Sequence, residues 1–440
     1  MRVLMLGWEF PPHISGGLGT ACYGMTQALS KKGAEIIFVL PRISADGQNN
    51  FLRLESASGT QVSEAVNKRV MMARQDIWQD NVRFITVDSP IFPYVTPETY
   101  SDVLHWISNS THITHSSIIQ NGETFTYHLH GGYGPDLLNE VWQFSSLVAA
   151  IALRESYDVI HVHDWMTYPA GMLAKILTGK PLVLHIHATE YDRSGENINH
   201  HIAGIERAGF MAADVIVAVS ELTRKTVVNN YGVAPDKVKV VYNAVARQEA
   251  ARYYMIPQRI RHEKRVLFLG RVTFQKGPEY FMEAARLVLD RIPNARFIMA
   301  GSGDMLPQLI RRAGQLRIGR RFHFSGFLRG EEVDRAFAIS DLYVMPSVSE
   351  PFGITPLEAM LYDVPVLLSR QSGVSEVLRH ALKADFWDTR DMADKICAVL
   401  RYPRLSEEMV KNCKEEMRSI RWENAADQLL SIYHNVSGGH

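Results

Sequence analysis

The sequence predicts an α/β protein built from two doubly wound, Rossmann-like domains facing across a cleft. Three observations lead there. Short apolar, β-branched runs alternate with longer amphipathic ones, the alternation restarts after residue 262, and the chain of 440 residues is long enough for two separate cores.

In chain order, the strand-like "VLML" precedes the helical pattern "ACYGMTQALSKKG". The runs "EIIFVLP", "YDVIHVH", "PLVLHIH", "ADVIVAVS" and "KVKVVYN" then alternate with helical segments, as a parallel sheet covered on both faces requires. This series predicts a first domain over residues 1–250, with a helix starting near Thr20 after its first loop. Residues 44–130 interrupt it with a long polar stretch that also carries Trp78, Tyr94, Tyr100 and Trp106. They read as an insertion, either a surface elaboration or an acceptor-binding flap. The Arg-rich "ARQEAARYYMIPQRIRHEKR" has no strand period and reads as the connection between domains. "RVLFLG", "ARFIMAG", "FHFSGF", "DLYVMPS" and "VPVLLS" form the second series, predicting a domain over 251–420, and a last helix follows within 421–440.

Charge narrows the partners. Lys+Arg and Asp+Glu each number 47, so there is no global field of the kind a nucleic-acid binder uses, and an anionic ligand must be held by a local site. Cys22, Cys397 and Cys413 lie far apart with no C-x-x-C pair, which fits a reducing compartment and argues against a cysteine zinc site. The apolar start meets Trp8 and Glu9 too early for a signal peptide, and no run approaches the roughly 18 apolar residues of a membrane span. The expectation is a cytoplasmic protein without a transmembrane segment.

Four strand ends carry candidate chemistry. "GWEFPPHISGGLGT" places Gly16, Gly17 and Gly19 between the first strand and the next helix, where main-chain amides can approach a phosphate. "DVIHVHDW" sets His161 and His163 on one strand face, with Asp164 and Trp165 at its end. Without an H-E-x-x-H or a carboxylate cluster beside them, hydrogen bonding by His163 is favoured over metal ligation. "RVLFLGRVTFQKG" offers Arg271 and Lys276 to the oxygens of a diphosphate. In "SVSEPFGITPLEAM", Glu350 stands at a strand end and Glu358 in the helix that begins around Pro356. The turn between them can present amides to sugar and phosphate oxygens while the carboxylates accept from hydroxyls.

Taken together, the paired α/β halves, the Gly-Gly loop, "HVHDW", the "GR....KG" loop and "EPFGITPLEAM" resemble the retaining glycosyltransferases of family 4, which have the two-Rossmann GT-B fold. "SIRWENAADQLLSIY" resembles their final helix, which packs back on the first domain. The resemblance implies that Arg271 and Lys276 bind the donor diphosphate, Glu358 the ribose hydroxyls, and that Glu350 faces the donor sugar. It implies that the amides of Phe352, Gly353 and Ile354 touch sugar and phosphate, Gly16 and Gly17 approach the distal phosphate, and His163 contacts the sugar. The family requires no metal or cofactor.

"WEFPPHISGGLG" is similar to the N-terminal segment of glycogen and starch synthases. Those enzymes have a lysine where this chain has Ile14, an acid where it has Thr20, and a Gly and an Asp where it has Ala244 and Arg247. The expected activity is glycogen synthase-like transfer of glucose from ADP- or UDP-glucose to a glucan. The alternatives are a family 4 hexosyl- or mannosyltransferase acting on a lipid or surface glycan, and a non-catalytic nucleotide-sugar-binding protein.

Overall fold

Strands covered on both faces read as near-continuous apolar runs, and the runs of the first series pair as one parallel sheet in the computed structural model of the chain. The structure describes residues 1–11, 16–43, 51–79, 118–121, 124–127, 129, 131, 136–245 and 263–438. Ile14, Arg247, Tyr94, Tyr100, Trp106 and most of the interdomain stretch lie outside the described residues, as does much of 44–130. The chain divides into two compact units. One holds the described residues up to Asn243 with the helix from Trp422; the other holds Ala244–Arg421.

The strands of the first unit are β1 (Arg2–Leu6), β2 (Glu35–Leu40), β3 (Arg53–Ser56), β4 (Gln61–Ser63), β5 (Ile118–Asn121), β6 (Thr124–Tyr127), β7 (Val159–His163), β8 (Leu182–Ile186), β9 (Val215–Ala218) and β10 (Val238–Val240). Its main sheet has the order β10-β9-β8-β7-β1-β2-β3, with every neighbouring pair parallel. The chain leaves β1 in one direction through β2 and β3, then returns to its other side at β7. That reversal is the topological switch point at which open α/β sheets bind ligands. β4, β6 and β5 form a separate antiparallel sheet, which the polar composition of 44–130 does not announce. The core gathers Leu4, Phe144, Val162 and Leu184 between the sheet and its helices.

The first helix spans Gly17–Lys31 and so begins three residues before the expected Thr20. Gly16, extended at φ −172°, is its N-cap, and the "GLG" run is helical although glycine weakens a helix by about 1 kcal/mol. Gly24 in that helix makes room for the last one, Trp422–Ser437: a Cβ there would lie 2.2 Å from the Trp422 indole nitrogen. A Lys32–Asp427 ion pair at 2.6 Å joins the same two segments.

The second unit contains β11 (Arg265–Leu269), β12 (Arg296–Ala300), β13 (Phe322–Gly326), β14 (Leu342–Met345), β15 (Val366–Ser369) and β16 (Leu382–Ala384). They form one parallel sheet in the order β13-β12-β11-β14-β15-β16, with its switch point between β11 and β14. Both units are doubly wound. Among the described residues no helix is long and apolar enough to cross a membrane.

Candidate functional site

Each unit has a cluster of polar side chains at the carboxyl end of its switch-point strands. In the second unit, β11 runs into the loop Gly270–Gly277 and β14 into the loop that carries Glu350. The two loops are joined by main-chain bonds, since Gln275 O accepts from Val348 N at 2.9 Å. Gly277 closes the first loop at φ +62°, and a Cβ there would come 2.2 Å from the Pro346 carbonyl oxygen, so the position requires glycine. From β12 the "AGSGD" turn crosses the same loop. Val272 N donates to Ser302 O at 2.8 Å, and a Cβ on Gly301 would strike Gly270 O at 1.8 Å.

These contacts bring Lys276 and Glu350 together. The Lys276 ammonium pairs with Glu350 Oε2, which also accepts from Ser347 Oγ at 3.2 Å. Glu350 is held by its main chain as well: its N donates to Gln371 O at 3.0 Å and its O accepts from Gly373 N at 2.9 Å. Arg271 is exposed on the same loop, with Nη2 3.3 Å from Gln275 Oε1. Phe352, Gly353 and Ile354 form the turn into the helix Thr355–Leu361, which starts with Pro356 in its first turn and carries Glu358 there. Burial, reinforced by the Asp334 charge, pushes the Glu358 carboxyl up to about 7. A carboxylate with few waters of its own is a strong acceptor for a ligand's hydroxyls.

In the first unit, β7 and β8 stand side by side with His163 in register with His185. "HVH" and "HIH" therefore gather four imidazoles, three of them buried and the fourth, His187, half-buried. His163 Nδ1 lies 3.0 Å from His187 Nε2, His161 Nε2 lies 3.2 Å from His185 Nδ1, and His161 Nδ1 contacts the Tyr433 hydroxyl from the last helix. Burial holds all four well below the ordinary histidine range, His187 at about 3. The Nε2 atoms of His163 and His185 are buried with no partner among the described residues. An orphaned buried ring nitrogen calls for an explanation, and a ligand oxygen supplies one. Asp164, at φ +58°, turns back to accept from His187 N at 2.7 Å, tying the two strand ends together.

Beyond His187 the segment "ATEYDRSGE" is fixed by a buried ion cluster. Arg193 bonds Glu190 at 3.1 Å, Glu206 at 2.5 Å and the Ala188 carbonyl at 2.9 Å. The sequence reading singled out neither this cluster nor His185, His187 or Tyr433. The one available signal was the repeat of "HVH" as "HIH" at the end of the next strand.

At Gly16 and Gly17 the packing gives no reason for glycine. Among the described residues, a Cβ on Gly16 would have only Glu9 Oε2, at 4.0 Å, and one on Gly17 would meet nothing within 4 Å. Among the described residues two sets of side chains could hold a metal ion, Cys22/His163/His187 and His161/His163/His185, each with ligand atoms within 4.8 Å of one another. Neither includes a carboxylate.

Comparison with known proteins adds an independent line. The family described as "Glycosyltransferase Family 4" matches residues 115–249, and "Glycosyl transferases group 1" matches residues 256–416. An uncharacterised glycosyltransferase of Methanocaldococcus jannaschii is 27% identical, the alignment covering 98% of both chains. A glycogen synthase of Mycobacterium tuberculosis is 25% identical over 98% of this chain and 94% of its own. Among solved structures, the Anabaena protein HepE in complex with UDP and glucose superposes with a TM-score of 0.63 at 16% identity, over 99% of this chain and 100% of that one.

Proposed function

Because the chain belongs to glycosyltransferase family 4 and has the GT-B fold, we propose that it moves glucose from a nucleotide diphosphate sugar to a glucan, with retention at the anomeric carbon and without a metal ion. The observation that carries this reading is the Lys276–Glu350 pair at the switch point of the second sheet, with Arg271 on the same loop and Glu358 in the helix that follows.

Cleaving the bond from the anomeric carbon to phosphate builds positive charge on the sugar and negative charge on the diphosphate. Arg271, Lys276 and the amides of Phe352, Gly353 and Ile354 supply fixed donors for that negative charge. One well-placed donor is worth about 3–4 kcal/mol in the transition state. Glu358 accepts from the ribose hydroxyls, and Gly16 and Gly17 leave room for the distal phosphate. Glu350 has one oxygen engaged by both Lys276 and Ser347, which suits it to position and stabilise the sugar more than to attack it. The leaving phosphate then takes the acceptor's proton as the new bond forms on the same face. In the first unit, the orphaned Nε2 of His163 can hydrogen-bond a sugar hydroxyl.

Glucose and a glucan are the donor sugar and acceptor that the full-length likeness to a glycogen synthase supports. Thr20 and Ala244, which depart from that group's pattern, favour as second reading a family 4 hexosyl- or mannosyltransferase acting on a lipid or surface glycan. The test is nucleotide release from UDP- and ADP-sugars in the presence of glycogen, maltooligosaccharides or a lipid extract, with the anomeric configuration of the product read by NMR. Release only with a mannose donor or only with lipid would replace the first reading by the second. Release with no pair at all would leave a binding protein.

A further inference from the structure

The second unit has a cavity at the opposite end of its sheet from Lys276 and Glu350. Its volume is about 290 Å³, and it is lined by Arg286, Arg317, Arg320 and Arg321, with Leu289 and Leu316 among its apolar wall. Pro293, also in the lining, precedes β12, and Arg317–Arg321 precede β13, so the cavity opens at the amino ends of these parallel strands.

The charges are not balanced locally. Arg286 pairs with Asp290, and Arg321 reaches Glu263 at 3.4 Å. Glu263 is already shared, with Arg296 Nε at 2.5 Å and Arg265 Nη2 at 3.7 Å. Arg317 and Arg320 are exposed and have no carboxylate partner among the described residues. In a chain whose charges sum to +0, this is a local concentration that the average hides. Arg317 also holds a left-handed backbone at φ +57°, just after the helix Leu306–Gln315, a position that favours glycine. Arginine forks around a concavity can meet the tetrahedral oxygens of a phosphate, and the apolar wall can take the body that carries it. Ligand pockets run from about 300 to 1,000 Å³, and a volume at the bottom of that range suits a small ester and is too small for a nucleotide sugar.

We propose that this cavity binds a small phosphate monoester at a site separate from the one assigned to the donor. Two helices connect the ends of the sheet. Pro278–Leu289 begins beside Lys276 and Gly277 and finishes at Arg286 and Leu289, while Leu306–Gln315 begins beyond the "AGSGD" turn and finishes at Leu316. Occupancy of the cavity thus has a packed route to the loops that hold Lys276.

The experiment is titration calorimetry of the full-length protein at physiological salt with inorganic phosphate, ribose 5-phosphate and UDP, repeated on Arg317→Gln/Arg320→Gln and on Lys276→Ala. Both arginines are exposed, and unchanged UDP affinity serves as the check on folding. The expected result is saturable ribose 5-phosphate binding that weakens at least tenfold in the double arginine variant and survives Lys276→Ala, with inorganic phosphate weaker than the ester. If ribose 5-phosphate binding disappears with Lys276→Ala and is untouched by the arginine changes, it occurs only at the donor position and the proposal is overturned. Absence of saturable binding overturns it too. So does arginine-dependent sedimentation with phosphatidylglycerol vesicles in place of any soluble phosphate, which would identify the patch as a membrane contact. Because UDP and ribose 5-phosphate are read separately, loss of UDP binding in wild type would count against the donor assignment alone.

Discussion

The Lys276 ammonium rests against the Glu350 carboxylate, so the cation assigned to the donor diphosphate is neutralised by the acid assigned to the sugar. Each side chain therefore holds the other in place before any ligand arrives. Replacing Lys276 with Ala removes a phosphate donor and leaves Glu350 with only Ser347. Turnover should fall on the order of 100- to 1,000-fold, the usual effect of one lost transition-state donor. Glu350→Gln keeps the shape and the Ser347 contact but loses the charge, so it should lower kcat severely with a smaller change in donor KM. The double variant should cost much less than the sum of the two, because the residues act as a pair. Additive losses would show that they work independently.

The glycines separate packing from ligand approach. Gly277→Ala puts a Cβ 2.2 Å from the Pro346 carbonyl at a positive φ, so the second unit should lose stability by at least the roughly 1–3 kcal/mol of such strain. Gly17→Ala meets nothing within 4 Å among the described residues, and its melting temperature should match wild type or rise slightly. If a phosphate passes close to Gly17, the same change should still raise donor KM several-fold. Thermal melting and donor kinetics on the two variants decide it, and unaltered kinetics in Gly17→Ala would remove the glycine from the donor site.

The uneven legibility of this chain has a physical basis. β1, β7, β8, β11 and β14 are interior strands, almost wholly buried, and show as largely apolar runs, interrupted in β7 and β8 by histidines, so the fold class could be read directly. β3, with the sequence "RLES", and β16, with "LKA", lie at sheet edges, where the apolar requirement is relaxed, and no run marks them. The site divides the same way. Lys276, Glu350 and Glu358 sit in a compact motif with side chains that state their chemistry. The crossing of Gly301 over Gly270 is a main-chain contact, and the pairing of His163 with His187 depends on strand register, which a linear reading does not contain.

Glu358 makes donor binding depend on pH. Its carboxyl, ordinarily near 4.5, is raised to about 7 in the folded chain. The folded state therefore holds this proton more tightly than the unfolded one. The group's contribution to stability is fully present below about 4.5 and is lost as pH rises through about 7. The charged form is the better acceptor for two ribose hydroxyls, so donor KM should fall as pH rises from 6 to 8. Glu358→Gln should have a higher KM with no such slope. A slope that persists in the variant would assign it to another group.

The four stacked histidines set the opposite trend in the first unit. Burial lowers each below its ordinary value near 6.5, so the unfolded chain binds more protons than the folded one at acid pH. Stability is lost as pH falls below about 6.5, and for His187 the loss continues towards about 3. Asp164, raised to about 6, and Glu206, raised to about 7, act in the other direction over part of that range, so the wild-type curve alone does not isolate the histidines. His185→Asn does isolate one of them. An amide at this position can replace Nδ1 in the contact with His161, while the titrating ring and its orphaned Nε2 are removed. The melting temperature of wild type should drop between pH 7 and pH 5 by more than that of His185→Asn, giving curves that converge or cross at the acid end. The neutral state of these rings also bears on metal binding. If they serve only as a hydrogen-bonded stack, purified protein should contain no stoichiometric metal, and turnover should be unchanged after dialysis against chelator. One tightly held ion per chain, lost together with activity in His185→Asn, would instead make the stack a metal centre and end the metal-free reading.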